Sequence, residues 1–278
     1  MMLNSHSAED LLFFPNARSA EGRTHLLGCS SRQPFPDMLS DTNLTAHVTQ
    51  NKSSDDDKMT PIIISLDGNI GAGKSTLLSE IRRRLHDVHV VDEPVGQWTA
   101  LKNAEGKNLL ELFYEDKRRW AYTFQNCAIL TRLKNIQDAV ENLDTTLKGP
   151  QVIITERSVL TDKHVFADML YSSGDIDMLE WDLYESWFNE FGKKYPVRGI
   201  VYVSTCSTTS NERIKIRNRN GEENIGMDYL DALDRQHKKW VENTNIPVLT
   251  LSTEIGIPVE KNIEEIQVFI EKLKKMYA

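Results

Sequence analysis

The sequence predicts a three-layer α/β/α fold around a five-stranded parallel sheet, and two observations support this prediction. Five short apolar runs alternate with longer segments in which apolar residues recur at helical spacing, a pattern typical of parallel sheets with helical crossovers. The first apolar run leads directly into residues 68–75, GNIGAGKS. This sequence fits the phosphate-binding pattern G-x-x-x-x-G-K-[ST], the P-loop.

The P-loop lies where its mechanism requires. An apolar run at residues 62–66 precedes it, and a helical pattern at residues 76–85 follows it. The glycines allow turns in which backbone N–H groups face phosphate oxygens, and the helix dipole and Lys74 add positive charge. Ser75 is placed to hold Mg²⁺. We therefore expect a nucleoside triphosphate to bind here, at Gly68, Asn69, Ile70, Gly71, Ala72, Gly73, Lys74, Ser75 and Thr76.

The remaining elements follow in regular alternation. Further strands are predicted at residues 89–91, 151–154, 199–203 and 247–251, and helices at residues 109–116, 118–143, 161–170, 176–191, 209–217, 229–241 and 263–277. In a parallel sheet, ligands bind beyond the carboxyl ends of the strands. The residues that follow the second and third strands are therefore expected beside the P-loop.

Composition narrows the class of protein. A net charge of −8 over 278 residues argues against a general nucleic-acid coat, which needs a basic surface. The cysteines Cys29, Cys127 and Cys206 lie far apart without metal-ligand spacing, which favours a reducing compartment. No apolar run approaches the ~20 residues of a membrane span. We expect a soluble cytoplasmic protein without a nucleic-acid or membrane partner, with a mitochondrial or nuclear location as the alternatives.

Residues 1–58 differ from the rest of the chain. They are rich in Ser, Asn, Asp, Thr and Pro, and they contain an acidic run at residues 55–57. We expect a largely disordered extension, followed by one catalytic domain at residues 59–278. Acidic residues spread through the extension argue against a mitochondrial presequence. Met59 directly precedes the first strand, which leaves an alternative start or a fusion junction open.

Charged residues follow the second and third strands. Glu93 is expected across from the P-loop, where a carboxylate can accept a hydroxyl proton during phosphoryl transfer. A surface acid before a proline turn is the alternative. Glu156 is expected to face the Mg²⁺ site, and Arg157 the transferred phosphate or Glu93. A structural ion pair is the alternative for these two residues.

Arginines near residue 215 suit a lid. Arg213 and Arg217 share a helix face and, with Arg219, precede a polar, glycine-containing stretch. A mobile arginine-rich segment at about residues 213–226 can close over phosphates and supply charge in the transition state. A solvated basic face is the alternative.

The long predicted helix carries an unusual face. Gln125, Ala128, Ile129 and Arg132 recur at helical spacing and therefore lie on one side. The amide of Gln125 has both a donor and an acceptor, so it can read the edge of a base. An interface or an ordinary polar contact in the core is the alternative.

Together these residues resemble the deoxyribonucleoside kinase family, in particular its deoxycytidine and deoxyguanosine kinase branch. The resemblance covers about residues 61–251 and rests on GNIGAGKST, EPV-x-x-W, YEDKRRWAYTFQ, ERS-x-x-x-D and R-x-x-x-R-x-R. It implies a P-loop kinase that transfers phosphate from ATP, with Mg²⁺, to the 5′-hydroxyl of a deoxyribonucleoside for nucleotide salvage. It also implies a homodimer and end-product inhibition by a deoxynucleoside triphosphate.

The resemblance implies roles at the matching positions. Glu93 matches the general base for the 5′-hydroxyl, and Arg157 matches its partner at the 5′-oxygen. The residues that match those binding the phosphates and Mg²⁺ are Lys74, Ser75, Glu156 and the lid residues Arg213, Arg217 and Arg219. For the nucleoside, Tyr114 and Glu222 match the residues that bind the sugar 3′-hydroxyl, and Gln125 matches the residue that binds the base. The remaining walls of the pocket match Ile70, Val95, Trp98, Leu110, Phe113, Phe124 and Phe166.

Base choice depends on Ala128, Arg132 and Asp162. Thymidine-preferring members of the family replace the Arg and the Asp with uncharged residues, which makes room for the thymine methyl group, whereas this chain keeps both charges. The resemblance therefore implies weak thymidine phosphorylation and a preference for deoxycytidine or purine deoxynucleosides. Phe113 departs from the branch, whose deoxycytidine kinases usually carry Met there.

Two other functions fit part of the pattern. A nucleoside monophosphate kinase such as thymidylate kinase shares the P-loop, the sheet and the lid, but Glu93 would repel the phosphate of its substrate. A non-catalytic structural subunit of the same fold has no need for Lys74, Glu93 and Arg157 together, and all three are present. A GTPase is disfavoured because no N-K-x-D motif follows the P-loop.

Overall fold

The structure, a computed structural model, describes residues 60–254 and 256–277. The predictions for residues 1–58 and for Met59 lie outside these residues. Within them, five strands form one sheet in which all neighbours are parallel, β1 (Ile62–Gly68), β2 (Val88–Val91), β3 (Val152–Glu156), β4 (Val197–Ser204) and β5 (Val248–Ser252). The order across the sheet is β2-β3-β1-β4-β5. The predicted α/β fold with a five-stranded parallel sheet is confirmed.

Helices connect the strands. They are α1 (Lys74–Arg84), α2 (Val95–Ala100), α3 (Leu109–Glu115), α4 (Lys117–Glu141), α5 (Val159–Thr161), a π-helical segment (Asp162–Ala167), α6 (Asp168–Ser172), α7 (Met178–Phe191), α8 (Ser207–Arg217), a 3₁₀ turn (Glu222–Asn224), α9 (Met227–Asn243) and α10 (Val259–Tyr277). The helix predicted at residues 161–170 corresponds to the π-helical segment and α6, whereas α2 and the 3₁₀ turn were not predicted. Among the described residues, no helix has both the length and the apolar character that crossing a membrane requires.

Strand β1 lies at the centre of the sheet, and all of its residues are buried. Ile62, Ile64 and Leu66 pack on one face with residues of α1 and α10, whereas Ile63 packs on the other face with residues of α4, α8 and α9. Burial on both faces explains why this run is apolar throughout instead of alternating. The P-loop therefore leaves the carboxyl end of the most enclosed strand.

A third apolar cluster has no strand residue among its buried members. It joins α2, α3, α4 and α7 through side chains that include Trp98, Phe113, Phe124 and Tyr184. The strand order places the carboxyl ends of β2, β3 and β1 side by side. The cluster and this sheet edge together enclose the space in which the predicted site residues meet.

Candidate active site

A cavity of about 660 Å³ lies at the carboxyl ends of the strands, within the size range of small-molecule sites. Most of the residues predicted from the sequence line it. They are Ile70, Gly71, Gly73, Lys74, Ser75, Thr76, Glu93, Trp98, Leu110, Phe113, Tyr114, Phe124, Gln125, Ala128, Arg132, Glu156, Arg157, Asp162, Phe166, Arg213, Arg217, Arg219 and Glu222. The structure thus brings the two groups of residues, for a triphosphate and for a nucleoside, into one enclosure.

Some predicted residues stand behind the cavity wall. Val95 was expected to line the pocket, but it packs on the apolar cluster that contains Trp98. Gly68 and Ala72 shape the loop without lining the cavity. Asn69 is buried, and its amide braces the loop by accepting from the N–H of Ile70 at 2.8 Å and donating to the carbonyl of Leu230 at 2.9 Å.

The P-loop conformation needs glycine at two positions in particular. Gly73 has φ 88° at the start of α1, a left-handed conformation that residues with a Cβ avoid. At Gly71, an added Cβ would lie 2.4 Å from the carbonyl oxygen of Ser210, which is closer than any real contact. These constraints keep the loop backbone close to α8 and place residues 71 and 73–76 on the cavity wall, where their N–H groups can face a phosphate.

Lys74 is buried at the donor end of the cavity. Its Nζ donates to the carbonyl of Asn69 at 2.8 Å and lies 3.9 Å from Oε1 of Glu156. Burial, with a contribution from the charge of Arg157, lowers the pKa of Lys74 to about 7. The ammonium lacks sufficient negative charge around it, so an anionic ligand at this position would be strongly favoured.

Ser75 and Glu156 form an oxygen pair beside the P-loop. The hydroxyl of Ser75 donates to Oε1 of Glu156 at 3.1 Å. Hydroxyl and carboxylate oxygens are the ligands that Mg²⁺ prefers, and this ion usually keeps several waters and substrate phosphates as its other ligands. Two protein oxygens next to a phosphate-binding loop therefore fit a Mg²⁺–nucleotide complex.

Glu93 and Arg157 meet on the cavity wall. Nη1 of Arg157 donates to Oε1 of Glu93, and its Cζ lies 5.0 Å from the ring centre of Phe166. Burial alone would raise the pKa of Glu93, but the charges of Arg157, Arg132 and Lys74 outweigh it and lower that pKa to about 2. The carboxylate is thus ionised at every physiological pH.

A buried ion pair lines the acceptor end, the part of the cavity formed by the residues predicted to bind the nucleoside, whereas the P-loop forms the donor end. Arg132 is 2% exposed, and its Nε and Nη2 donate to the two carboxylate oxygens of Asp162 at 2.8 and 3.2 Å. Its Nη1 donates to the carbonyl of Glu156 at 2.7 Å. The guanidinium is therefore fixed from two sides, with its charge matched by a bidentate carboxylate.

Gln125 lines the same cavity as this pair and as several aromatic side chains. Its Oε1 is buried and has no protein partner within the described residues. Phe113 and Phe124 stack with ring centres 4.6 Å apart, and Trp98 meets Phe124 edge-on at 5.1 Å. An unpaired amide oxygen is costly unless a ligand satisfies it. A planar, polar ring bound in the cavity against these aromatic side chains would supply that partner.

The predicted lid arginines are held by protein groups. Arg217 donates to Oε2 of Glu222 at 2.7 and 3.1 Å, and Arg219 donates to Oε1 at 3.1 Å. Arg213 donates to the carbonyl of Thr253 at 2.6 Å. The predicted sugar-binding carboxylate is therefore neutralised by the lid, a contact that the sequence did not indicate.

Further cavity residues were missed. Leu77, Ile216, Tyr229, Thr253, Ile257, Val259 and Asn262 also line the wall. Tyr229 is the clearest case, because its ring meets Tyr114 edge-on at 6.4 Å and its buried hydroxyl has no partner among the described residues. No local pattern marks a tyrosine in the first turn of an amphipathic helix as functional, so the sequence carried no signal for it.

Comparisons with known proteins all point to one family. The sequence model described as deoxynucleoside kinase matches residues 64–276. A deoxycytidine kinase of Homo sapiens is 32% identical over 240 residues, which cover 76% of this chain and 91% of the relative. A probable deoxycytidine kinase of Fowlpox virus is 39% identical over 197 residues, covering 68% and 77%. A mitochondrial deoxyguanosine kinase of Xenopus laevis is 32% identical over 215 residues, covering 69% and 81%.

Proposed function

The chain belongs to the deoxynucleoside kinase family, and from this premise we propose that it transfers the γ-phosphate of ATP to the 5′-hydroxyl of a deoxyribonucleoside for nucleotide salvage. One observation supports this proposal most strongly. The ionised carboxylate of Glu93 lines the same cavity as Lys74 of the P-loop and the unpaired amide of Gln125. A hydroxyl placed at Glu93 would therefore face the donor phosphate while the base reaches Gln125.

Glu93 is the base in the proposed reaction. It accepts a hydrogen bond from the 5′-hydroxyl and takes its proton as the bond to phosphorus forms. Its low pKa makes it a weak base, which suits a loose transition state in which the proton leaves late. Arg157 holds Oε1 of Glu93 and brings positive charge beside the attacking oxygen. Most of the catalysis is then positioning and charge stabilisation.

Positive charge surrounds the transferred phosphate. Lys74 and Arg157 lie on the cavity wall, and the lid residues Arg213, Arg217 and Arg219 line the same enclosure. We infer that the two arginines on Glu222 exchange part of that contact for phosphate oxygens when ATP binds. Ser75 and Glu156 would hold Mg²⁺, which when bound neutralises phosphate charge.

The acceptor end favours deoxycytidine or a purine deoxynucleoside. Gln125 offers a donor and an acceptor to the base edge, and Tyr114 with Glu222 offers partners to the sugar 3′-hydroxyl. The thymine methyl group would meet the buried guanidinium of Arg132, which Asp162 and the carbonyl of Glu156 fix in place. Moving this pair aside would leave buried charge unpaired, so thymidine is the disfavoured substrate.

A homodimer and product inhibition complete the proposal. Leu179, Leu183 and Trp187 are 60%, 46% and 48% exposed on one face of α7, and such an apolar stripe is suited to a second copy of the chain. A deoxynucleoside triphosphate carries both a base for the acceptor end and phosphates for the P-loop, so we propose it as the feedback inhibitor. A cytoplasmic location remains a prediction.

The substrate panel tests this function. We expect deoxycytidine, deoxyadenosine or deoxyguanosine to be phosphorylated with ATP and Mg²⁺, with kcat/KM for thymidine at least roughly tenfold below that of the best substrate, about 1.4 kcal/mol of discrimination. The corresponding monophosphates serve as the matched control. Faster turnover of monophosphates would indicate a nucleoside monophosphate kinase, and thymidine turnover equal to that of deoxycytidine would refute the proposed role of Arg132 and Asp162.

A further inference from the structure

The turn between β3 and the π-helical segment carries two important side chains. Arg157 is the first residue of this turn, and Asp162, where the π-helical segment starts, is its last. The conformation of the turn therefore fixes the positions of the Arg157 guanidinium and of the Asp162 carboxylate that pairs with Arg132. Arg157 has φ 61°, a left-handed conformation that non-glycine residues rarely adopt. Such a conformation persists only where the surrounding structure fixes it. Something must therefore hold residues 157–162 in place.

The backbone N–H of Arg157 donates to the carbonyl of Leu66 at 3.0 Å, and a chain of three buried groups holds the rest of the turn. The backbone N–H of Ser158 donates to the hydroxyl of Thr161 at 3.0 Å. That hydroxyl in turn donates to Oδ1 of Asp67 at 2.5 Å. All three residues are fully buried. The hydroxyl of Ser158 also lies 3.3 Å from that of Thr161, so these contacts close the turn on itself and tie it to the end of β1.

The position of Asp67 makes this contact more than a local brace. Asp67 directly precedes Gly68, the first residue of the P-loop, and the carbonyl of Gly68 lies 3.4 Å from Nη2 of Arg157. The carboxyl group thus joins the strand that carries the donor loop to the turn that carries acceptor residues. A fully buried carboxyl is costly in a core, and an apolar residue at this position of β1 would avoid that cost.

We propose that Asp67 and Thr161 are positioning residues for the acceptor half of the site. Through Thr161, Asp67 fixes the turn 157–162 and hence the placement of Arg157 against Glu93 and of Asp162 against Arg132. This inference rests on the proposed function, because the quantity that it predicts is binding and turnover of a deoxynucleoside.

The test replaces the hydroxyl with a methyl group of the same shape. In T161V, the KM for the deoxynucleoside should rise roughly tenfold and kcat should fall, because a displaced turn places neither Asp162 at the nucleoside nor Arg157 at Glu93 correctly. The KM for ATP should change less than about twofold, because the P-loop keeps its groups. T161S keeps the hydroxyl and should stay within about threefold of the wild type. D67N keeps an acceptor oxygen and should do the same.

T155V is the matched control. Thr155 is also fully buried, on β3, but its hydroxyl has no partner among the described residues. This variant should leave both KM values within about twofold. If T161V is too unstable to assay, D67N/T161V provides the same comparison without an unpaired buried charge and should show the same split. Unchanged KM values, or equal rises in both, would overturn the proposal. Wild-type turnover of deoxynucleosides, measured first, tests the proposed function separately.

Discussion

The donor and acceptor ends of the cavity are built in different ways. The donor end is built mainly on one contiguous stretch, residues 68–76, with Glu156 and the lid arginines on the cavity wall beside it. The acceptor end takes side chains from separate elements, with Glu93 after β2, Gln125 and Arg132 on α4, and Asp162 at the start of the π-helical segment. The donor end is therefore largely a local structure, whereas the acceptor end exists only when the helices are packed.

This difference separates general binding from specificity. Backbone N–H groups recognise any triphosphate, and they place no unusual charge in the core. The acceptor end distinguishes bases with a buried ion pair, and such pairs rarely stabilise a fold because desolvation opposes the attraction. We infer that the buried charges that give this protein its base specificity also lower its stability, and that these charges lie at the acceptor end. Each prediction below tests whether the two halves can be changed independently.

The largest effect is expected from E93Q. Loss of the carboxylate removes the proton acceptor, so turnover should fall about 10³-fold, within the range for general bases. ATP binding should persist, because the donor end keeps all of its groups. Steady-state kinetics and ATP titration measure the two quantities. The pKa of Glu93, lowered to about 2, also predicts that its ionisation leaves no step in the pH–rate profile above about pH 4.

D92N is the matched control for E93Q. Asp92 is the neighbouring acid, and its carboxylate is exposed and pairs with Arg82 at the surface. Its replacement should change turnover less than about twofold. A wild-type rate in E93Q would refute the assignment of the base. Loss of ATP affinity together with turnover would show that the two ends of the cavity are not separate.

The second-largest effect is a loss of stability when the buried ion pair between Arg132 and Asp162 is broken. D162N removes the bidentate partner of the Arg132 guanidinium, which then keeps only Glu93, whose Oε1 lies 3.5 Å from Nη2 and is already held by Arg157. We therefore expect the free energy of unfolding to fall by about 3 kcal/mol. Replacing both partners in R132M/D162V should recover much of that loss, because no charge then remains unpaired. The double variant should also raise kcat/KM for thymidine relative to deoxycytidine. Urea denaturation and the substrate panel measure these outcomes.

A surface pair on the same helix provides the control. Lys134 and Asp138 form an exposed ion pair on α4, and D138N should change the free energy of unfolding by less than about 0.5 kcal/mol. If D162N were as mild as D138N, Asp162 would not be balancing the buried charge of Arg132. The contrast between the two ends of the cavity would then fail.

The comparison also explains what the sequence could predict. The sheet and the P-loop follow from apolar runs and one contiguous motif, so both could be derived from local pattern. Helix α2 could not, because its six residues include Gly96 and are too short for periodicity. The roles of Gln125 and Asp162 came from a family resemblance, since spacing alone left other readings open.

Tertiary contacts could not be predicted from sequence patterns. Tyr229 and Ile257 reach the cavity from distant parts of the chain, and the hydrogen bond between Thr161 and Asp67 spans 94 residues. Val95 was placed on the cavity wall by resemblance, but a short helix turns it into an apolar cluster. Such facts depend on how helices pack, and single-sequence reasoning carries little information about packing.

The smallest expected effect is a pH dependence of ATP binding that arises from Lys74 and involves the donor end alone. Burial first, and then the charge of Arg157, lowers the pKa of Lys74 to about 7 in the ligand-free protein. A triphosphate beside Nζ raises that pKa, so at pH 8 ATP binding should take up close to one proton. Affinity for ATP should then weaken as the pH rises through 7, by at most about tenfold per pH unit. Calorimetry in two buffers of different ionisation heat measures the uptake. K74R stays protonated and should show none, and equal heats in both buffers for the wild type would contradict the prediction.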